Sequence, residues 1–164
     1  MMIGKLLNGG KAEMTSLNTS SILALLNATL TSINGLVTVT TEQPSLVHAH
    51  ILQTDYSVLI GVTGALRGRL LILGESSVFM KAGFAMYGMT LSQDMLESFV
   101  GEFGNSVAGH AATKLYEQGI KIDITPPTTM TGQVKLGGFN KALQVPFQMD
   151  GGASGQLVLA VEVS

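Results

Sequence analysis

The residues with the clearest chemical potential are a glutamate and an asparagine in GEFGNSVAGHAATKL, residues 101–115. Side chains three positions apart on a helix are neighbours, so Glu102 and Asn105 are expected to stand side by side. They present a carboxylate and an amide, groups that bind and orient a partner's polar atoms. The stretch also contains Gly101, Gly104 and Gly109, although glycine costs about 1 kcal/mol relative to alanine in a helix interior. The glycines therefore indicate that a small surface is needed.

A rotation of about 100° per residue divides this helix into two faces. The apolar face is predicted to contact the core through Leu96, Phe99, Val100, Phe103, Val107 and Ala111. The opposite face forms a narrow band, here called the ridge, made of Ser98, Glu102, Asn105, Gly109 and Ala112, with Gly101 at its border. An ordinary solvent face would carry many charges. The ridge favours close approach by a partner, whereas close packing of small residues within the fold is the alternative.

The surrounding pattern predicts an α+β fold in which long helices pack on an antiparallel sheet. Thr90 and Gln93 are expected to form a capping box for the long helix, which runs to Gln118 before Gly119. Apolar spacing predicts an earlier helix over residues 20–36 and another over 75–89. Residues 46–52, 57–74, 121–134, 142–150 and 155–163 are expected to form strands and hairpins. The similar segments GRLLIL and GQLVLA, residues 68–73 and 155–160, suggest two related halves.

Composition excludes several classes of function. The chain has 164 residues, of which residues 1–14 are predicted to be a flexible arm or a foreign extension, and 15–164 one domain. The net charge of −2 offers no basic surface for nucleic acid. The absence of cysteine excludes disulfides and thiolate chemistry and fits a cytoplasmic location. Residues 14–41 lack charge, but half are Ser, Thr or Asn, so no membrane insertion is expected.

Three histidines are weaker candidates. His48 and His50 alternate on a predicted strand and would point to one face, but a third metal ligand is not evident. His110 lies near the apolar side of the long helix, where a partly buried structural histidine is expected rather than a catalytic one. No metal site is therefore predicted.

The stretch SFVGEFGN, residues 98–105, fits the pattern [Asp/Ser]-x-x-x-Glu-x-x-Asn. It is followed by AGHAATKLYEQGIKIDITPPTTMTG, residues 108–132, with a helix end, a strand and a double proline. Together these resemble the CheC/CheX/FliY family of bacterial chemotaxis phosphatases, and the CheX branch most closely. The resemblance implies a fold of pseudo-symmetric halves and a phosphatase that removes phosphate from the aspartyl-phosphate of a CheY-type response regulator. A receiver-binding or flagellar-switch-binding module of the same fold, without catalysis, is the alternative.

The resemblance also implies roles for individual residues. Glu102 would pair with the regulator's active-site lysine, and Asn105 would position the attacking water. Ser98 would have a supporting role. The small ridge itself predicts that Gly101, Gly109 and Ala112 contact the partner. The regulator, not this chain, would hold Mg²⁺. The first helix has no glutamate between Glu13 and Glu42, so one site per chain is expected, and the CheX branch implies a homodimer.

Overall fold

The computed structural model describes residues 16–47, 51–139 and 141–161. Within these residues the helices are α1 (Ser16–Leu36), α2 (Ser76–Tyr87) and α3 (Gln93–Glu117). The strands are β1 (Val39–Thr41), β2 (Ser45–Leu46), β3 (Ile51–Leu52), β4 (Tyr56–Gly64), β5 (Gly68–Gly74), β6 (Ile122–Ile124), β7 (Thr128–Thr131), β8 (Val134–Lys135), β9 (Lys141–Met149) and β10 (Ser154–Val161). The predicted α+β class is confirmed.

The main sheet is antiparallel and is built around two hairpins. Its order is β1-β9-β10-β5-β4-β6, with β2 also paired to β9 and β7 to β4. The hairpin β4–β5 was predicted from two apolar runs around a glycine-containing turn, and it forms. Strands β3 and β8 form a separate two-stranded sheet. Of the strand predicted over residues 46–52, Leu46 belongs to β2 and Ile51–Leu52 form β3, which pairs in the other sheet, while residues 48–50 lie outside the described residues.

The two halves of the sheet are related by their register. Strands β5 and β10 pair at the centre, where Leu71 faces Val158. Toward the two edges of the sheet the pairings are equivalent. The first residue of β1 pairs with the last residue of β9, and the first residue of β6 pairs with the last residue of β4. Likewise β2 begins opposite the fourth residue of β9, and β7 begins opposite the fourth residue of β4. This correspondence confirms the predicted pseudo-symmetric halves.

The helices cover one face of the main sheet. Alternate strand residues such as Val58, Ile72 and Leu157 join the helices in one core cluster, as expected for a sheet whose side chains alternate between faces. The opposite face is covered by the small β3–β8 sheet, which packs against Leu71 and Val158. Within the described ranges, no helix is long and apolar enough to cross a membrane.

The start of α3 differs from the prediction. The N-cap residue is Ser92, without a side-chain capping hydrogen bond, and Thr90 lies outside the helix. The predicted capping box is therefore wrong. The reason is tertiary packing, because the buried side chain of Leu91 lies directly against Gly83 of α2. Leu91 occupies the space that a side chain at position 83 would need. This packing fixes the turn between the helices, and α3 begins only after it.

Candidate functional site

Helix α3 presents the ridge to solvent as its periodicity predicts. The six predicted core residues of α3 are buried against the sheet and the other helices. On the other side Ser98, Glu102 and Asn105 are exposed, while Gly109 and Ala112 are half-buried. The side chain of Asn105 makes no hydrogen bond to any described residue. The amide of Asn105 is therefore available to a partner.

The three glycines of α3 have two different explanations. Gly101 and Gly104 are buried. A methyl group at Gly104 would lie 2.5 Å from Val58 Cγ1, and one at Gly101 would lie 2.9 Å from Thr129 Oγ1. These two glycines let α3 approach the sheet, which supports the packing alternative for both. A methyl group at Gly109 would meet nothing within 4 Å, so only Gly109 leaves open space on the ridge.

A cleft of ≈ 270 Å³ lies beside Glu102, between the end of α2 and the first half of α3. Its lining residues are Tyr87, Leu91, Asp94, Met95, Ser98, Phe99 and Glu102. The structure thus brings Ser98 and Glu102 together in one concave surface. Asn105 lies outside this lining and follows Glu102 one turn along the ridge.

Glu102 has a partner that sequence reasoning missed. The hydroxyl of Tyr87 donates a hydrogen bond of 2.9 Å to Oε1 of Glu102. This hydrogen bond raises the pKa of Tyr87 above its ordinary value, and desolvation and the Glu102 charge act in the same direction. Tyr87 is 15 positions from Glu102 and on another helix, so no periodicity links the two. The one feature of the sequence that draws attention to Tyr87 is that it directly precedes Gly88, the glycine at which α2 ends.

Large apolar side chains are exposed around the same end of α2. Phe84 is 59% exposed, Met89 49%, Tyr87 47% and Met95 45%. Tyr87 and Met95 also line the cleft beside Glu102. Exposed apolar groups that cluster beside polar ones are typical of protein interaction surfaces.

The histidines do not contribute to this site. His110 is exposed, so the expected partial burial is wrong. Val107 and Ala111 face the core, and His110 is rotated away from them by about 60° and about 100° respectively. His48 and His50 lie outside the described residues. In the part of the chain that the structure describes, no three acidic, histidine or cysteine residues come together to hold a metal.

Helix α1 offers no second pair. It contains no glutamate, and its asparagines include Asn27 and Asn34. Oδ1 of Asn34 accepts a hydrogen bond of 3.2 Å from the Val39 amide, where α1 leads into β1. Asn27 is exposed, but it has no carboxylate three positions before it. The prediction of one Glu-x-x-Asn pair per chain follows from these residues.

Comparison with protein families gives a direct assignment. The family model of the chemotaxis phosphatase CheX matches residues 56–148, which include the ridge. The chain belongs to the CheX family. The CheY-P phosphatase CheX of Thermotoga maritima is 34% identical over 113 residues, which are 66% of this chain and 73% of that protein. Membership confirms the resemblance that the Ser98–Asn105 segment indicated.

Solved structures have the same fold. The chemotaxis protein CheX of Desulfovibrio desulfuricans superimposes with a TM-score of 0.74 at 19% identity, over 87% of this chain and 99% of that one. A chain of the CheX–CheY–BeF₃–Mg²⁺ complex of Borrelia burgdorferi gives a TM-score of 0.70 at 22% identity, over 87% of this chain and 97% of that one. The CheX family fold therefore extends over most of the chain.

Proposed function

We propose that this chain hydrolyses the aspartyl-phosphate of a CheY-type response regulator, with Glu102 and Asn105 as its catalytic pair. The observation that carries the proposal is the exposed pair on a ridge of small residues, in a chain of the CheX family. The Thermotoga relative bears the name CheY-P phosphatase. One structural neighbour belongs to a complex that contains CheY, BeF₃ and Mg²⁺.

The reaction needs positioning more than it needs covalent chemistry from the phosphatase. The oxygen of a water molecule attacks phosphorus, and the bond between phosphorus and the aspartyl oxygen breaks. The products are the free aspartate carboxylate and dihydrogen phosphate, so atoms and charge balance. The Asn105 amide has both a donor and an acceptor, which suits the orientation of a water molecule near a phosphoryl group. A carboxylate at this position would repel the phosphoryl oxygens.

Glu102 supplies the docking charge. Its carboxylate is exposed on the same helix face as Asp94, which lines the same cleft. An acidic cleft attracts a lysine of the receiver's active site. The exposed apolar side chains of Tyr87 and Met95 flank the charge and suit a protein partner. Docking through Glu102 would bring the Asn105 amide, one turn farther along, into the receiver's active site.

The remaining ridge residues have supporting roles in this proposal. Ser98 borders Glu102 within the cleft. Gly109 and Ala112 place no large side chain on the ridge beyond Asn105, so the receiver's loops can approach the helix there. The buried position of Gly101 favours packing over partner contact. Mg²⁺ belongs to the receiver, where it would neutralise phosphoryl charge.

The experiment compares turnover and binding in the same proteins. A receiver domain is phosphorylated with a small-molecule donor, and the decay of its aspartyl-phosphate is followed with the parent chain and with Asn105→Ala. Asn27→Ala is the matched control, because it removes an exposed asparagine amide from α1. We expect Asn105→Ala to slow catalysed decay by about 100-fold, as for other single positioned donors, and Asn27→Ala to behave as the parent. Tight receiver binding without catalysed decay would refute the phosphatase and favour a binding module.

The homodimer and the cytoplasmic location are proposed on family membership. Sedimentation at several concentrations tests the first, and fractionation of cells expressing the natural gene tests the second. A monomer at micromolar concentration, or recovery with membranes, would contradict the respective proposal.

A further inference from the structure

The carboxylate of Glu102 is held by a residue outside the Glu-x-x-Asn motif. The hydroxyl of Tyr87 donates to Oε1 at 2.9 Å. No described residue is hydrogen-bonded to Oε2 of the same carboxylate. An ionised carboxylate accepts at both oxygens, so one oxygen is bound within the chain and the other remains available.

The position of the Tyr87 hydroxyl is set by the core. The Tyr87 ring packs edge-on against Phe99, with ring centroids 5.7 Å apart and planes at 77°. Phe99 in turn contacts Phe103 at 6.0 Å, and both phenylalanines are buried. Gly88 follows with a left-handed backbone, φ 72°, and its amide donates to the Phe84 carbonyl. The half-exposed Tyr87 ring therefore rests on one buried neighbour, Phe99, at the end of its helix.

We propose that Tyr87 is a positioning residue that holds Glu102 in the orientation needed for docking and leaves Oε2 free for the receiver's lysine. The inference rests on the proposed function. An exposed glutamate samples many rotamers, and docking must restrict it to one. A hydrogen bond from a fixed hydroxyl restricts the carboxylate before the partner arrives, and preorganisation of this kind increases affinity. Tyr87 acts through Glu102 and has no role in the attack by water.

The test is Tyr87→Phe, which removes the hydroxyl and keeps the ring on Phe99. We expect KM for the phosphorylated receiver to rise about five- to tenfold, which is within the range for loss of an ordinary hydrogen bond. The kcat should stay within twofold, because water positioning by Asn105 is intact. Tyr56→Phe is the matched control. Tyr56 also has a hydrogen-bonded hydroxyl, at 3.1 Å from Gln93 Nε2, and an edge-on contact to a phenylalanine, but it lies outside the cleft lining.

A double-mutant cycle separates positioning from simple structural support. In a Glu102→Ala background, Tyr87→Phe should have no further effect on KM, since the carboxylate that it orients is gone. An unchanged KM in the parent background, or an equal rise in both backgrounds, would overturn the proposal.

Affinity for a receiver loaded with beryllofluoride and Mg²⁺ is measured in parallel. If the parent binds this receiver but does not accelerate decay, the proposed phosphatase fails, and the affinity of Tyr87→Phe still tests the role of Tyr87. If Tyr87→Phe then binds as tightly as the parent, the positioning role fails as well. If the parent does not bind the receiver, both proposals fail.

Discussion

Alanine replacements at two glycines of α3 should have opposite effects on stability. At Gly104, a methyl group would lie 2.5 and 2.7 Å from the two γ-carbons of Val58, which is fully buried on β4. Overpacking of this kind costs about 1–3 kcal/mol, and a buried β-branched neighbour has little freedom to yield, so we take about 3. The gain from replacing a helical glycine offsets about 1 kcal/mol. Gly104→Ala should therefore destabilise the fold by about 2 kcal/mol.

At Gly109 the same replacement meets open space, with no atom within 4 Å of the added methyl. Only the gain in helix propensity remains, so Gly109→Ala should stabilise the fold by about 1 kcal/mol. The two variants should differ by about 3 kcal/mol in the free energy of unfolding, or about 6–12 °C in Tm for a chain of this size.

Urea unfolding followed by circular dichroism measures both variants under one condition, with unchanged m-values as the check on two-state behaviour. Combining Gly104→Ala with Val58→Ala should be less destabilising than the sum of the two single changes, because the smaller residue removes the clash. Equal stability changes at the two glycines would refute the explanation of Gly104 by its contact with the sheet.

Three further predictions concern the ridge. Glu102→Ala should lower the pKa of Tyr87 toward its ordinary value, since the hydrogen bond and the negative charge that raise this pKa are lost. Titration of the tyrosine by NMR measures the pKa, and an unchanged value would contradict the contact between Tyr87 and Glu102. The raised pKa of Tyr87 means that the folded state favours its neutral hydroxyl, so the hydrogen bond to Glu102 should stabilise the fold fully below about pH 10 and lose this effect at higher pH. The free energy of unfolding of the parent should therefore fall more steeply above about pH 10 than that of Tyr87→Phe, and equal slopes would contradict this. Asn105→Asp should reduce turnover at least as much as Asn105→Ala, since a carboxylate repels the phosphoryl group, and a rate above that of Asn105→Ala would contradict the role of the amide.

The faces of α3 could be predicted from the sequence because helix periodicity is a local property. Burial of Phe99 and Val107 and exposure of Glu102 and Asn105 follow from a rotation of 100° per residue. The hairpin β4–β5 was predictable for a similar reason, since apolar runs and a glycine-containing turn are read directly from neighbouring residues.

Contacts between distant elements were not predictable in the same way. The packing of Gly104 on Val58 joins a helix to a strand 46 positions earlier in the chain. The contact of Leu91 with Gly83 displaced the start of α3 from the predicted capping box at Thr90. Each depends on tertiary packing, which overrides local signals.

The same limit applies to the candidate site. The Glu-x-x-Asn pair lies within one helix and was found from its spacing, whereas Tyr87 reaches Glu102 from the end of α2. A side chain that completes a site from another element leaves no spacing signal in a single sequence.

The proposed mechanism requires that the Asn105 amide accelerates loss of the receiver's aspartyl-phosphate. Its most direct test is the single-turnover rate constant at saturating concentrations of the parent and Asn105→Ala, since saturation removes any difference in affinity. We expect a rate constant about 100-fold lower for Asn105→Ala. Equal rate constants for the two proteins at saturation would contradict it.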